Sequence, residues 1–92
     1  MKYEKISYLL GGYFHQDWVY DAQNPEDVIS SFVAREQPET ISLLKKELED
    51  ILDSEQELSE DFIYQNNGYY SPSADGLTVR LWFKQLLEIL PE

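Results

Sequence analysis

The chain has 92 residues, 42% of them hydrophobic and 27% charged, and no cysteine. That length fits one domain, residues 1–92, and the apolar share is too high for a disordered acidic tail. The missing thiols exclude disulfides, thiolate nucleophiles and Cys-ligated zinc, so the cytoplasm is the simplest compartment. Eighteen acidic residues against seven basic ones leave a net charge of −11, a field that repels nucleic-acid backbones and anionic membranes and favours basic proteins.

From the N-terminus, residues 2–10 (KYEKISYLL) predict a short helix with Tyr3, Ile6, Leu9 and Leu10 on one side, closed by Gly11-Gly12 as a left-handed cap. The apolar run Tyr8 to Leu10 is too short for a signal peptide or a membrane span. The next stretch, YFHQDWVY, fits a short strand or an irregular packed loop equally well. Asn24-Pro25-Glu26-Asp27 is a start signal: a capping side chain, a proline at the first helical position, and two acids facing the positive end of the dipole. A helix over 25–36 follows, with Val28, Ile29, Phe32 and Val33 as its apolar face.

Pro38 opens the next helix, whose Ile41, Leu44, Leu48, Ile51 and Leu52 fall within an arc of about 100°. A Ser54-x-x-Glu57 capping box predicts a further helix through Leu58, Phe62 and Ile63, ending at Asn66-Asn67-Gly68. After Tyr69-Tyr70-Ser71-Pro72 and an Asp75-Gly76 turn, Thr78 is the expected cap of a last helix. Val79, Trp82, Phe83, Leu86, Ile89 and Leu90 share its face, and Pro91 closes it. The expected fold is all-α, a bundle of four to five helices.

His15 is the only histidine, set between aromatics in Phe14-His15-Gln16-Asp17-Trp18. A metal site needs more ligands at a recognisable spacing and a hydrolytic site needs a nucleophile beside the imidazole. The simpler expectation is structural: His15 and Asp17 satisfy buried backbone groups while Tyr13, Phe14 and Trp18 pack between helices. Carboxylate pairs arise by chance in so acidic a chain. There is no glycine-rich phosphate loop, EF-hand loop or basic stripe. An enzyme is disfavoured, and no cofactor, metal or small-molecule substrate is expected.

The segment from Glu47 to Asp61 holds eight acids, Glu47, Glu49, Asp50, Asp53, Glu55, Glu57, Glu60 and Asp61, without a Lys or Arg. Charge runs are usually solvated surface. At about 100° per residue, however, Glu49, Asp53 and Asp50 project roughly 80°, 120° and 180° from Ile41, away from the apolar stripe and interrupted only by Lys46. Like charges this close repel, which suits a partner that neutralises them. Tyr64, Tyr69 and Tyr70 adjoin the run, and tyrosine is enriched at interfaces. Glu47, Glu49, Asp50, Asp53, Glu57, Asp61, Tyr64, Tyr69 and Tyr70 are therefore the expected contact surface for a basic protein. Leu43 and Leu81, which point away from their core faces, are further candidates. An acidic adaptor or regulatory subunit that holds a basic peptide fits the same features.

Leu10-Gly11-Gly12-Tyr13-Phe14-His15-Gln16-Asp17-Trp18, followed by the Pro25-Glu26 helix start and by Gly68-Tyr69-Tyr70, Pro72, Gly76 and Trp82, resembles the immunity proteins of bacterial contact-dependent growth inhibition (CDI) systems. The likeness spans nearly the whole chain. Its specific part is the Tyr-Phe-His-Gln-Asp-Trp run, with Val19 where relatives often place an acid. The resemblance implies a small cytoplasmic antitoxin that binds and occludes the C-terminal toxin domain of a large secreted effector, often a nuclease. It transfers no catalytic residue.

Overall fold

The computed structural model describes residues 3–54 and 57–91. Among them are six helices and no strand: α1 (Glu4–Tyr13), α2 (Trp18–Asp21), α3 (Pro25–Arg35), α4 (Pro38–Asp53), α5 (Glu60–Gln65) and α6 (Val79–Ile89), with a 3-10 turn at Pro72–Asp75 before α6. The helical expectation holds, with one more helix than the largest number expected because the Trp18–Asp21 turn closes as α2. YFHQDWVY is thus neither strand nor wholly irregular: it ends α1, crosses a short link and forms that turn.

α4 is the central element, packed against both α1 and α6, while α3 rests on α1 and the 3-10 turn on α6. Its Ile41, Leu44, Leu48 and Ile51 are buried and Leu52 is half-buried, as the narrow apolar arc requires. Val28, Ile29 and Phe32 of α3 join them, as do Val79, Trp82, Phe83 and Leu86 of α6. Ile89 does not: it is exposed, and Leu90, just beyond the helix, is buried instead.

Two of the expected start residues act as read. The Asn24 side chain accepts from the Asp27 N–H at 2.9 Å, and the Thr78 hydroxyl accepts from the Leu81 N–H at 3.1 Å. Two other signals are overturned. Gly11-Gly12 does not end α1, which runs through both glycines to Tyr13. Each glycine costs about 1 kcal/mol inside a helix, but the extra turn brings Tyr13 to 5.0 Å from the Phe32 ring and buries Phe14 at 5.3 Å from Trp82. Burying a large apolar side chain gains about 1.5–3 kcal/mol, which decides the matter.

Ser54 is also not the head of a capping box. Its N–H donates to the Asp50 carbonyl and its hydroxyl to the Ile51 carbonyl at 2.7 Å, so it terminates α4. The Glu55-Gln56 part of that box lies outside the described residues. α5 begins later, after Ser59, leaving Leu58 outside it, with Glu60 and Asp61 in its first turn complementing the helix dipole. At its end the left-handed residue is Asn67 (φ 66°), not Gly68. Gly68 serves close packing: a Cβ there would lie 2.7 Å from Ile63 Cγ2 and 3.2 Å from Leu10 Cβ.

Candidate binding surface

α4 ties the bundle together through charges at helix ends. The Glu47 carboxylate reaches the first turn of α1, where Oε1 accepts from the N–H groups of Lys5 (2.8 Å) and Ile6 (3.0 Å) and Oε2 from Lys5 (3.0 Å). An anion there meets unpaired N–H donors and the positive end of the dipole. At the C-terminus of α4, Arg80 of α6 donates from Nη1 to the Leu52 carbonyl at 2.8 Å, a cation on a helix C-terminus. Glu47 is therefore half-buried scaffold, whereas Glu49, Asp50 and Asp53 farther along the helix are exposed.

Glu49, Asp50 and Asp53 are exposed on the flank of α4, as their angles required. They share one shallow depression with Lys46, and also with Lys84 of α6. Three carboxylates thus face two ammonium groups, and helix angles alone could not reveal the second of these. Leu43 and Leu81 are exposed, 48% and 47%.

The chain from α5 to the 3-10 turn builds a different surface. Tyr64 (66% exposed) and Tyr69 (50%) stand edge to face with ring centroids 6.0 Å apart. Tyr70, expected beside them, is only 7% exposed. In the irregular 69–71 segment Tyr69 faces solvent and Tyr70 points inward. Its ring packs on Trp82 (4.8 Å), Phe14 (5.6 Å) and Trp18 (5.8 Å), and its hydroxyl donates to Asp75 Oδ2 at 2.7 Å. Burial first, then that hydrogen bond and the charges of Asp75, Glu26 and Glu60, push the phenol well above its ordinary value. Tyr70 is core, not contact surface.

Glu60 holds this segment in place. Its Oε1 accepts from the Ser71 hydroxyl at 2.8 Å and Oε2 from the Ser73 N–H at 2.9 Å, bonds that keep its pKa below the usual glutamate value. Two depressions flank the Tyr69 segment. One, of about 250 Å³, is lined by Glu60, Asp61, Tyr64 and Tyr69; the other, of about 400 Å³, by Trp18, Val19, Tyr69 and Asp75. No Lys or Arg lines either. The second brings in Trp18, Val19 and Asp75, which sequence reasoning did not assign to the surface. The apolar run Trp18-Val19-Tyr20, set between the polar segments His15-Gln16-Asp17 and Asp21-Ala22-Gln23-Asn24, was the available signal. Glu57 is exposed ahead of α5.

His15 and Asp17 depart from expectation as well. Asp17 is exposed, and the side chain of His15 is 40% exposed. Nδ1 accepts from the Asp17 N–H at 3.1 Å, and Nε2 lies 3.5 Å from Asp21 Oδ2. The pair organises the local turn instead of satisfying buried groups. His15 borders a groove of about 500 Å³ that mixes Asp21 with Arg35. Beside that groove Glu36 Oε2 accepts from both the Tyr8 and Tyr13 hydroxyls. Those two bonds, Tyr13's the stronger, lower the Glu36 pKa. Among the described residues no group of three His, Asp or Glu is placed to hold a metal, and no helix is long and apolar enough to cross a membrane.

The family model described as CdiI immunity protein matches residues 2–90. Among solved structures, a chain of the CdiA-CT/CdiI complex from Y. kristensenii 33638 superposes with a TM-score of 0.88 at 21% identity, over 99% of this chain and 100% of that one. At that identity the likeness speaks for the fold. No curated protein matches the sequence.

Proposed function

The chain belongs to the CdiI immunity protein family, and from that premise we propose that it protects its producer by binding the C-terminal toxin domain of a CDI effector in the cytoplasm. It works without catalysis, as a stoichiometric inhibitor that occludes the toxin. The family match over residues 2–90 carries this reading. The net charge of −11 extends it to the kind of toxin: a nuclease site is basic to hold phosphate, and an acidic protein fits it in place of nucleic acid. The residues that attract or contact the toxin are drawn from Glu49, Asp50, Asp53, Glu57, Asp61, Tyr64 and Tyr69. Glu47 and Tyr70 are left out because helix capping and core packing engage them.

The test is to mix the purified chain with the toxin domain encoded immediately upstream of it and to measure complex formation together with DNA and RNA cleavage. A one-to-one complex in which cleavage stops is the expected result. Failure to form a complex overturns the immunity reading for this pair; a complex whose free toxin cuts neither nucleic acid overturns the nuclease assignment alone.

A further inference from the structure

We propose that the toxin is gripped at the Tyr69 face, by arginine or lysine side chains laid on Tyr64 and Tyr69, and that the acidic flank of α4 acts on it only from a distance. This rests on the immunity reading above and adds where, and by what chemistry, the partner is held. Three independent observations favour the Tyr69 face over the α4 flank.

The first is local charge. The α4 depression sets Glu49, Asp50 and Asp53 against Lys46 and Lys84, whereas Glu60, Asp61 and Asp75 line the two Tyr69 depressions without a cation. A basic side chain arriving at α4 competes with ammonium groups already there. At the Tyr69 face it meets none, and the hydrogen bonds to Ser71 and Ser73 favour the ionised form of Glu60.

The second is exposed aromatic area. Tyr64, Tyr69 and Val19 are half or more exposed, and the two depressions join them around one segment. Tyrosine faces attract cations within about 6 Å, Arg more often than Lys, and large stiff rings are enriched at binding hot spots. The α4 depression offers only Leu52 and Leu87.

The third is rigidity. Trp18 Nε1 donates to the Tyr69 carbonyl at 3.3 Å, and the Tyr69 N–H donates to the Phe14 carbonyl at 2.7 Å. Behind the segment, Tyr70 is wedged among Phe14, Trp18 and Trp82. A platform fixed on the core before the partner arrives loses less entropy on binding than a free loop.

The experiment compares the full chain with two variants, Tyr64→Ala/Tyr69→Ala and Glu49→Lys/Asp50→Lys/Asp53→Lys, by surface plasmon resonance against the upstream toxin domain. Thermal melts confirm folding, and the exposed rings of Tyr64 and Tyr69 make that a mild demand. The tyrosine pair should weaken affinity at least tenfold through faster dissociation, with the melting temperature nearly unchanged. Asp61→Lys, an exposed substitution on the same face, should also weaken binding and keeps the test open should the tyrosine variant misfold. A loss under tenfold in a folded tyrosine variant, or faster dissociation from the α4 variant than from the tyrosine variant, overturns the assignment while leaving the immunity reading intact. Failure of the unmodified chain to bind would instead overturn the immunity reading and this inference with it.

Discussion

The α4 flank and the Tyr69 face carry the same number of lining carboxylates and differ in everything around them. On α4, Glu49, Asp50 and Asp53 lie beside Lys46 and Lys84 on a helical surface with little aromatic character. On the Tyr69 face, Glu60, Asp61 and Asp75 surround exposed tyrosines, with no cation in the lining. The sequence joined the two into one expected surface, since Glu60 and Asp61 belong to the same acidic run as Glu49, Asp50 and Asp53, and tertiary placement separates them. An acid counts toward a binding field according to what other helices bring next to it, and Lys84 reaches α4 from α6, more than thirty residues along the chain.

The largest effect expected on this contrast comes from Gly68→Ala, which attacks the base of the Tyr69 face. The added methyl would sit 2.7 Å from Ile63 Cγ2 and 3.2 Å from both the Ile63 carbonyl oxygen and Leu10 Cβ. Ile63 and Leu10 are fully buried, so backbone or core must shift, at a cost of about 2–3 kcal/mol. Urea unfolding measures it. A cost below about 0.5 kcal/mol would show that the platform is softer than described.

Glu47→Ala tests the opposite region, where one member of the acidic run is scaffold. It removes a charged acceptor from two N–H donors of α1 and should cost about 2 kcal/mol, within the range for charge-assisted and capping bonds. Toxin affinity of the folded fraction should stay the same. Normal stability with lost affinity would return Glu47 to the contact surface.

These two residues show what was and was not legible beforehand. Asn24 and Thr78 act through donors three residues away, so local sequence sufficed for them. The apolar arc of α4 was equally plain, because a central helix buries one face whatever its neighbours are. Gly11-Gly12 and Ser54 misled because a local stop or start competes with distant packing: Phe14 found a core site against Trp82, and Ser54 closed the preceding helix. Tyr69 and Tyr70 could not be told apart, since which of two neighbours turns inward depends on Trp18 and Trp82. Glu47 could not be told from the exposed Glu49, Asp50 and Asp53 beside it, because its anchoring partners are the distant Lys5 and Ile6 N–H groups.

Acid should act on the Tyr69 face through Glu60. Its pKa is depressed, mainly by the Ser71 hydroxyl and then by Ser73, so its contribution to stability is complete above the ordinary glutamate value and disappears as pH falls through the lower folded value. Below that point both serine bonds weaken and one carboxylate charge leaves the face. Toxin affinity should fall across this window, and Glu60→Gln should flatten the fall measured by titration calorimetry. An identical pH profile in the variant would remove Glu60 from the explanation.

The smallest change should follow from the α4 reversal, Glu49, Asp50 and Asp53 to Lys. These side chains are exposed and away from the core, where substitutions usually shift stability by only about ±0.5 kcal/mol. The variant nevertheless moves net charge from −11 to −5, since each reversal adds two charges. Long-range attraction should weaken even if the flank never touches the partner. Such steering acts on encounter and is screened over about 8 Å at physiological ionic strength. The expected signature is association slowed severalfold at low salt, a gap that closes as salt is added, and dissociation equal to that of the unmodified chain. Contact residues behave otherwise, because most affinity lost at a packed interface is lost through dissociation. Faster dissociation in this variant would place the flank inside the interface; equal, salt-insensitive association would make it ordinary solvated surface.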